Sequence, residues 1–136
     1  MTRGHAAFAV EVTDPQPGYS VLVIGTVAAA EAFAARVGPG GVIRSSRTLA
    51  DATGTSDLVC GFGVPEFRDS DTSRLSGIAE LLAPAGQLWV FDSPAAGESA
   101  GLLSMRISTT LSHAGLAIVD ILEGRCVIGV CAMVKG

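Results

Sequence analysis

The sequence predicts a three-layer α/β domain with a mostly parallel sheet, shortened in the middle and closed by a C-terminal antiparallel hairpin. Three observations carry that prediction. Val21-Leu22-Val23-Ile24 is a wholly apolar run that breaks at Gly25-Thr26 and continues into an Ala-rich segment over 27–37, as a buried parallel strand turning into a helix reads. Strand-sized apolar runs then alternate with helical patterns, the order that builds a sheet covered on both faces. The terminal LAIVDILEGRCVIGVCAMVK is two alternating β-rich runs about a tight turn near Glu123-Gly124, so the last strand must run antiparallel to its neighbour.

Taken in order, residues 6–12 (AAFAVEV) read as a short strand, an edge strand or a loose arm, separated from the core by the turn-rich Asp14-Pro15-Gln16-Pro17-Gly18. The chain is thus divided into an N-terminal arm or edge strand, 1–19, and one domain, 20–136. The helix over 27–37 stops at Gly38-Pro39-Gly40-Gly41, where glycine caps it and proline cannot continue it. Val42-Ile43-Arg44-Ser45 reads as a second short strand, 47–52 as one or two helical turns, and 57–63 as a third, central strand with a glycine-rich exit. Only about a dozen residues separate the second strand from the third, room for a brief crossover but not for another helix–strand unit.

Asp71 to Ala83 has a cap-type start and sets Leu75, Ile78, Ala79 and Leu82 at i, i+3, i+4 and i+7, which predicts a one-sided helix ended by Pro84-Ala85-Gly86. Gln87 to Phe91 is a strand. Asp92-Ser93-Pro94 turns out of it, capping the way into a helix from Ser99 to His113 with Leu103, Ile107 and Leu111 in step, and Gly115 stops that helix.

Composition narrows the function classes. A chain of 136 residues, 49% hydrophobic and 16% charged, can bury one sizeable core. Mean hydropathy is +0.48, yet the longest apolar runs are strand-sized, so no membrane span is expected. Glu11 and Asp14 interrupt the first apolar patch, no export segment follows, and a cytoplasmic location is expected. Nine basic against thirteen acidic residues, spread without runs, give a net charge of −4, and no footprint for nucleic acid or an anionic membrane. Cys60, Cys126 and Cys131 lie in apolar runs without CxxC spacing, as free buried thiols of a reducing compartment do. Cys126 and Cys131, read as five apart in one strand, would point to opposite faces and share no metal.

The turn at Gly25-Thr26 aims the unpaired N–H groups of a helix N-terminus at any anionic or nucleotide ligand. Nucleotide-binding turns of this kind carry further glycines, and here those positions are Val27 and Ala30. His113 near a helix end reads as a partner of the terminal carbonyls, and Asp57 before its strand as structural. With two histidines and no paired-carboxylate or Ser-His-Asp spacing, no catalytic set and no metal site is expected.

The order of motifs resembles the class I S-adenosylmethionine-dependent methyltransferases. VLVIGT is similar to their first motif, SDLVCG to their central strand, GIAELLAPAGQLWVF to the helix, Pro-Gly turn and strand that follow, and HAGLAIVDILEGRCVIGVCAMVKG to their closing hairpin. The resemblance spans 20–136 and implies a Rossmann-like sheet. The chain departs from that pattern at Val23, where the family carries a carboxylate, at Val27, where it has its second glycine, and at Arg44, Ser45 and Ser46, where an acid holds the cofactor ribose; arginine offers no acceptor. The family's usual third strand and its helix are absent between Ser46 and Asp57.

The N-terminal domain of the anamorsin family has the same losses, and SDLVCGFGVP, RLSGIAELLAPAGQLWVFDSP and the closing SHAGL resemble it. That resemblance implies a non-catalytic, methyltransferase-like protein-interaction module in cytosolic iron–sulfur cluster assembly and its electron-transfer chain. It would be cofactor-free, with protein partners that include a diflavin reductase and with iron–sulfur clusters on a cysteine-rich tail that this sequence does not contain. The alternatives are a small S-adenosylmethionine-dependent methyltransferase binding its cofactor through Gly25, Thr26, Ser45, Gly61 and Phe62, with Phe62 stacking on adenine, and a methyltransferase-like scaffold or dimerisation domain.

Overall fold

In the computed structural model, which describes residues 3–135, the apolar run becomes β1 (Ser20–Ile24), with Val21 to Ile24 all buried. A strand buried on both faces has no polar side to present, which is why its sequence does not alternate. β1 is flanked by β2 (Val42–Ser46) and β3 (Ser56–Phe62), both parallel to it. Next come β4 (Leu82–Asp92), parallel to β3, and the hairpin of β5 (Leu116–Gly124) and β6 (Val127–Val134), with β6 antiparallel to both β4 and β5. The six-stranded order is β2-β1-β3-β4-β6-β5. The result is a three-layer Rossmann-like fold with a mostly parallel sheet and an antiparallel end, and β3 is central as the sequence predicts. The 47–55 connection holds neither helix nor strand, so the sheet gains nothing beyond β2 on that edge.

The 6–12 segment is neither a strand nor a loose arm: Arg3–Thr13 is helix α1. Ala6, Ala9 and Val10 are its buried residues, and that i, i+3, i+4 spacing is a helix face; the reading as a strand overlooked it. α1 lies on α2 (Val27–Val37) and reaches β4. Together they cover one face of the sheet, where Val21, Val23, Phe33, Val37, Leu58, Cys60, Phe62, Trp89, Phe91 and Cys131 form one core. Phe91 stacks between Phe62 and Trp89 at centroid distances of 5.2 and 5.7 Å and takes the edge of Phe8 at 6.1 Å.

The opposite face is covered by α3 (Ala100–His113) and three single 3₁₀ turns, Pro65–Arg68, Ser73–Leu75 and Ile78–Leu81. The helix expected over 71–83 does not form. Its buried residues Leu75, Ile78 and Leu81 are spaced by three, the 3₁₀ period rather than the α period, and Ser76-Gly77 between them favours no helix. Leu82 already belongs to β4, and Pro84-Ala85-Gly86 is a kink inside that strand: the pairing with β3 shifts between Ser56 and Leu58, and Ala85 takes φ 61°. Arg47 to Ala52 likewise form a turn and no helix, although the Ala52 N–H bonds the Leu49 carbonyl at 3.1 Å.

Two smaller expectations are corrected at chain turns. Ser99, not Asp92 or Ser93, caps α3, its hydroxyl accepting from the Leu102 N–H at 3.0 Å; Ser99 adjoins the helix, as an N-cap must. The hairpin turns at Arg125-Cys126 rather than at Glu123-Gly124, since Gly124 pairs with Val127. Cys126 is therefore in the turn, exposed, with φ 60°, and only Cys60 and Cys131 are buried thiols.

Candidate functional site

Open parallel sheets bind ligands beyond the carboxyl ends of their strands, where the order reverses direction. Here that point is the exit of β1 between β2 and β3. Gly25 leaves β1 with φ 106°, and its N–H donates to the Ser46 carbonyl at 2.9 Å. A side chain there would collide with the Phe62 carbonyl, so the turn requires glycine on both counts. Thr26 follows in extended conformation as the N-cap of α2, its hydroxyl making no capping bond. Val27 opens the helix 62% exposed.

Of the residues that would hold a cofactor on the methyltransferase alternative, Gly25, Thr26 and Ser45 lie at this edge, with Gly25 and Ser45 exposed and Thr26 half-buried. Gly61 and Phe62 reach the same edge with their backbone, Gly61 paired with Ile24 and the Phe62 carbonyl beside Gly25, but their side-chain positions are closed off. Phe62 is buried and stacked on Phe91, so it presents no ring to a ligand. The space a Cβ would take at Gly61 is filled by the Phe67 ring, 2.6 Å from that position, and by Val64. Arg44 is not at the edge's disposal either: its guanidinium donates to the Thr53 carbonyl, to the Thr55 carbonyl at 3.3 Å and to Ser56 Oγ at 2.6 Å. Asp57 accepts from the Ser20 N–H at 2.9 Å at the opposite end of the sheet, the structural role its position predicts.

The sequence reading missed Glu66. It stands in the first 3₁₀ turn after β3, and with Thr48, Leu49, Ala50 and Arg74 it lines a cleft of about 490 Å³. These residues follow β2 and β3, the two neighbours of β1, so the cleft opens at the same sheet edge. Arg74, Leu49 and Ala50 also line an adjoining cleft of about 440 Å³. The only sequence signal was Pro65-Glu66 directly behind a glycine-rich strand exit.

Beyond β4 a charged cluster ties the 3₁₀ segment to α3. Glu98, with its side chain 7% exposed, accepts from both Arg68 (3.0 and 3.2 Å) and Arg106 (2.8 Å) and from the Ala95 N–H at 3.1 Å. Arg68 also reaches Asp92 at 3.4 Å. The Ala95 N–H above all, helped by the two guanidiniums, holds the Glu98 carboxyl below the usual range. Burial keeps the Cys60 thiol well above its ordinary value, with nearby Cys131 adding to the effect. Burial, with Asp120 beside it, pushes Cys131 up to about 12. Neither thiol is a nucleophile at neutral pH. Among the described residues His, Cys, Asp and Glu form no group that could hold a metal ion, and no helix is long and apolar enough to cross a membrane.

No protein-family model matches the chain, and no curated protein matches it. Solved structures do. A S-adenosylmethionine-dependent methyltransferase from Aquifex aeolicus superposes with a TM-score of 0.73 at 15% identity, covering 96% of this chain and 89% of that one. The 1,6-didemethyltoxoflavin-N1-methyltransferase of Burkholderia thailandensis, solved with S-adenosylhomocysteine, gives 0.64 at 15% identity over 98% and 78%. The ribosomal protein L11 methylase of Lactobacillus delbrueckii subsp. bulgaricus gives 0.60 at 16% over 97% and 78%. At these identities the likeness is one of architecture: the chain has a class I methyltransferase-like fold.

Proposed function

We propose that this chain is a small S-adenosylmethionine-dependent methyltransferase whose cofactor lies along the exits of β1, β2 and β3. The observation that carries this reading is the near-complete overlap with a methyltransferase only slightly longer than itself, 96% of one chain on 89% of the other. The residues at the edge fit such a group in a rearranged way. Gly25 brings bare backbone to the turn, Thr26 offers a hydroxyl that caps nothing, exposed Val27 offers apolar contact, and Ser45 a second hydroxyl. Glu66, which lines the cleft beyond β2 and β3 with Thr48 and Arg74, would take the place of the carboxylate that β2 lacks, as the acceptor for ribose hydroxyls. When bound, the cofactor supplies an electrophilic methyl group; the chain's part is to bind and orient it.

Calorimetry with S-adenosylmethionine tests this. Binding in the micromolar range, weakened about tenfold or more by Glu66→Gln, a loss of one charge-assisted hydrogen bond, supports the reading. Absence of binding at millimolar cofactor contradicts it.

A second reading is favoured by the closure at Gly61: Phe67 and Val64 occupy the space over the strand exit, and Phe62 is in the core. On that reading the chain is a non-catalytic interaction module of the anamorsin type, with protein partners such as a diflavin reductase. Phe67→Ala separates the two. Cofactor binding that appears only in this variant identifies a fold whose site has been filled.

A further inference from the structure

The three 3₁₀ turns between β3 and β4 leave one flank of α3 uncovered, and the space beside it is a cleft of about 680 Å³. Pro65 and Arg68 form one wall; Met105, Arg106, Thr109 and His113 form the other. A volume of this size suits one small organic molecule. Met105, Thr109 and His113 recur every four residues, on one side of α3, and all are exposed, with Met105 58% exposed. An unbranched apolar side chain laid open in the wall of a cleft is a contact surface for an apolar body.

The polar groups set the charge of that ligand. Of the carboxylates near the cleft, Glu98 and Asp92 are paired with guanidiniums, while Asp69, exposed and itself part of the lining, accepts from a backbone N–H. Glu98 accepts from Arg68, Arg106 and the Ala95 N–H and is nearly buried. Asp92 accepts from the Ser93 N–H and Arg68, and Asp69 from the Asp71 N–H. Arg106, its side chain 48% exposed, uses one η-nitrogen on Glu98 and keeps the rest of its guanidinium fork for a ligand. The Thr109 hydroxyl and the His113 ring complete a rim that offers donors. We infer that this cleft binds an amphipathic organic anion, its apolar part on Met105 and Pro65 and its carboxylate or sulfonate on Arg106. The inference does not depend on the cofactor edge and stands or falls apart from it.

The test is an amide-shift titration of the ¹⁵N-labelled protein with 1-naphthalenesulfonate and, separately, with neutral 1-naphthalenemethanol. Saturable shifts at Arg68, Met105, Arg106 and Thr109 are expected with the sulfonate, with the alcohol binding about tenfold more weakly for want of the ionic contact. Arg106→Gln, whose spectrum reports its own folding, should weaken the sulfonate about fivefold or more. Glu66→Gln, in the other cleft, should leave it unchanged. Equal affinity for the two probes, shifts elsewhere, or an unaltered Arg106→Gln titration would overturn the inference.

Discussion

The two faces of the sheet are built from the same strands and are covered in different ways. On one face α1 and α2 lie side by side over an aromatic cluster of Phe62, Trp89 and Phe91, edged by Phe8. On the other, α3 shares the work with three 3₁₀ turns, and the clefts of about 680, 490 and 440 Å³ are lined by residues of those turns. Continuous helices close-pack against a sheet, whereas short turns leave concavities between them. The difference teaches how a domain of this size can keep both a core and binding surfaces: both faces bury a core, and the one covered by short turns also leaves room for ligands.

The largest effect expected follows from that division. Phe91 and Phe67 are both 0% exposed, on opposite faces. Phe91→Ala should destabilise the fold by about 3–5 kcal/mol, and Phe67→Ala by less, toward about 3 kcal/mol, because neighbouring turns can relax into the gap. Urea denaturation measures both. Equal losses would break the contrast between a rigid face and a yielding one.

A smaller effect sharpens it. Ser99→Ala removes the single side-chain cap of α3 and should cost about 1 kcal/mol; a loss well beyond that would mean that the uncovered flank of α3 relies on the cap more than an ordinary helix does. The thiols probe both faces without mutation. Cys126 should react with Ellman's reagent in the native protein, while Cys60 and Cys131, buried with raised pKa, react only on unfolding. The folded chain keeps those two thiols protonated where the unfolded chain ionises them. Their contribution is therefore full below the ordinary thiol range and is lost as pH rises above it. Glu98 acts in the opposite sense on the α3 face, with a lowered folded pKa: its stabilisation is present above the ordinary carboxyl range and disappears as pH falls through the folded value. Glu98→Gln should flatten the acid limb of a stability–pH curve, and an unchanged limb would show that the cluster contributes nothing measurable.

Much of this was legible in the sequence. β1, the Gly25 turn, α2, the central β3 and the terminal hairpin follow from periodicity and glycine placement, and the structure has them within a residue or two of the expected bounds. What escaped was set by tertiary context. Leu75, Ile78, Ala79 and Leu82 satisfy a helical template, yet packing recruits Leu75, Ile78 and Leu81 in a period of three and gives Leu82 to a strand. In the N-terminal segment the small residues Ala6 and Ala9 conceal a helix face because alanine marks neither strand nor core strongly. At the candidate site Gly25, Thr26 and Ser45 were accessible from the strand-end rule, but the burial of Gly61 and Phe62 depends on Phe67 and Phe91, which are distant in sequence or on another element. Glu66 was invisible for the same reason: only the sheet order brings it opposite Thr48.

The measurement that tests the central claim most directly is an amide-shift titration of the labelled protein with S-adenosylmethionine. The proposed methyltransferase predicts saturable shifts centred on Gly25, Thr26, Val27, Ser45 and Glu66. An unperturbed spectrum at millimolar cofactor, in a chain whose other amides show it to be folded, would contradict it.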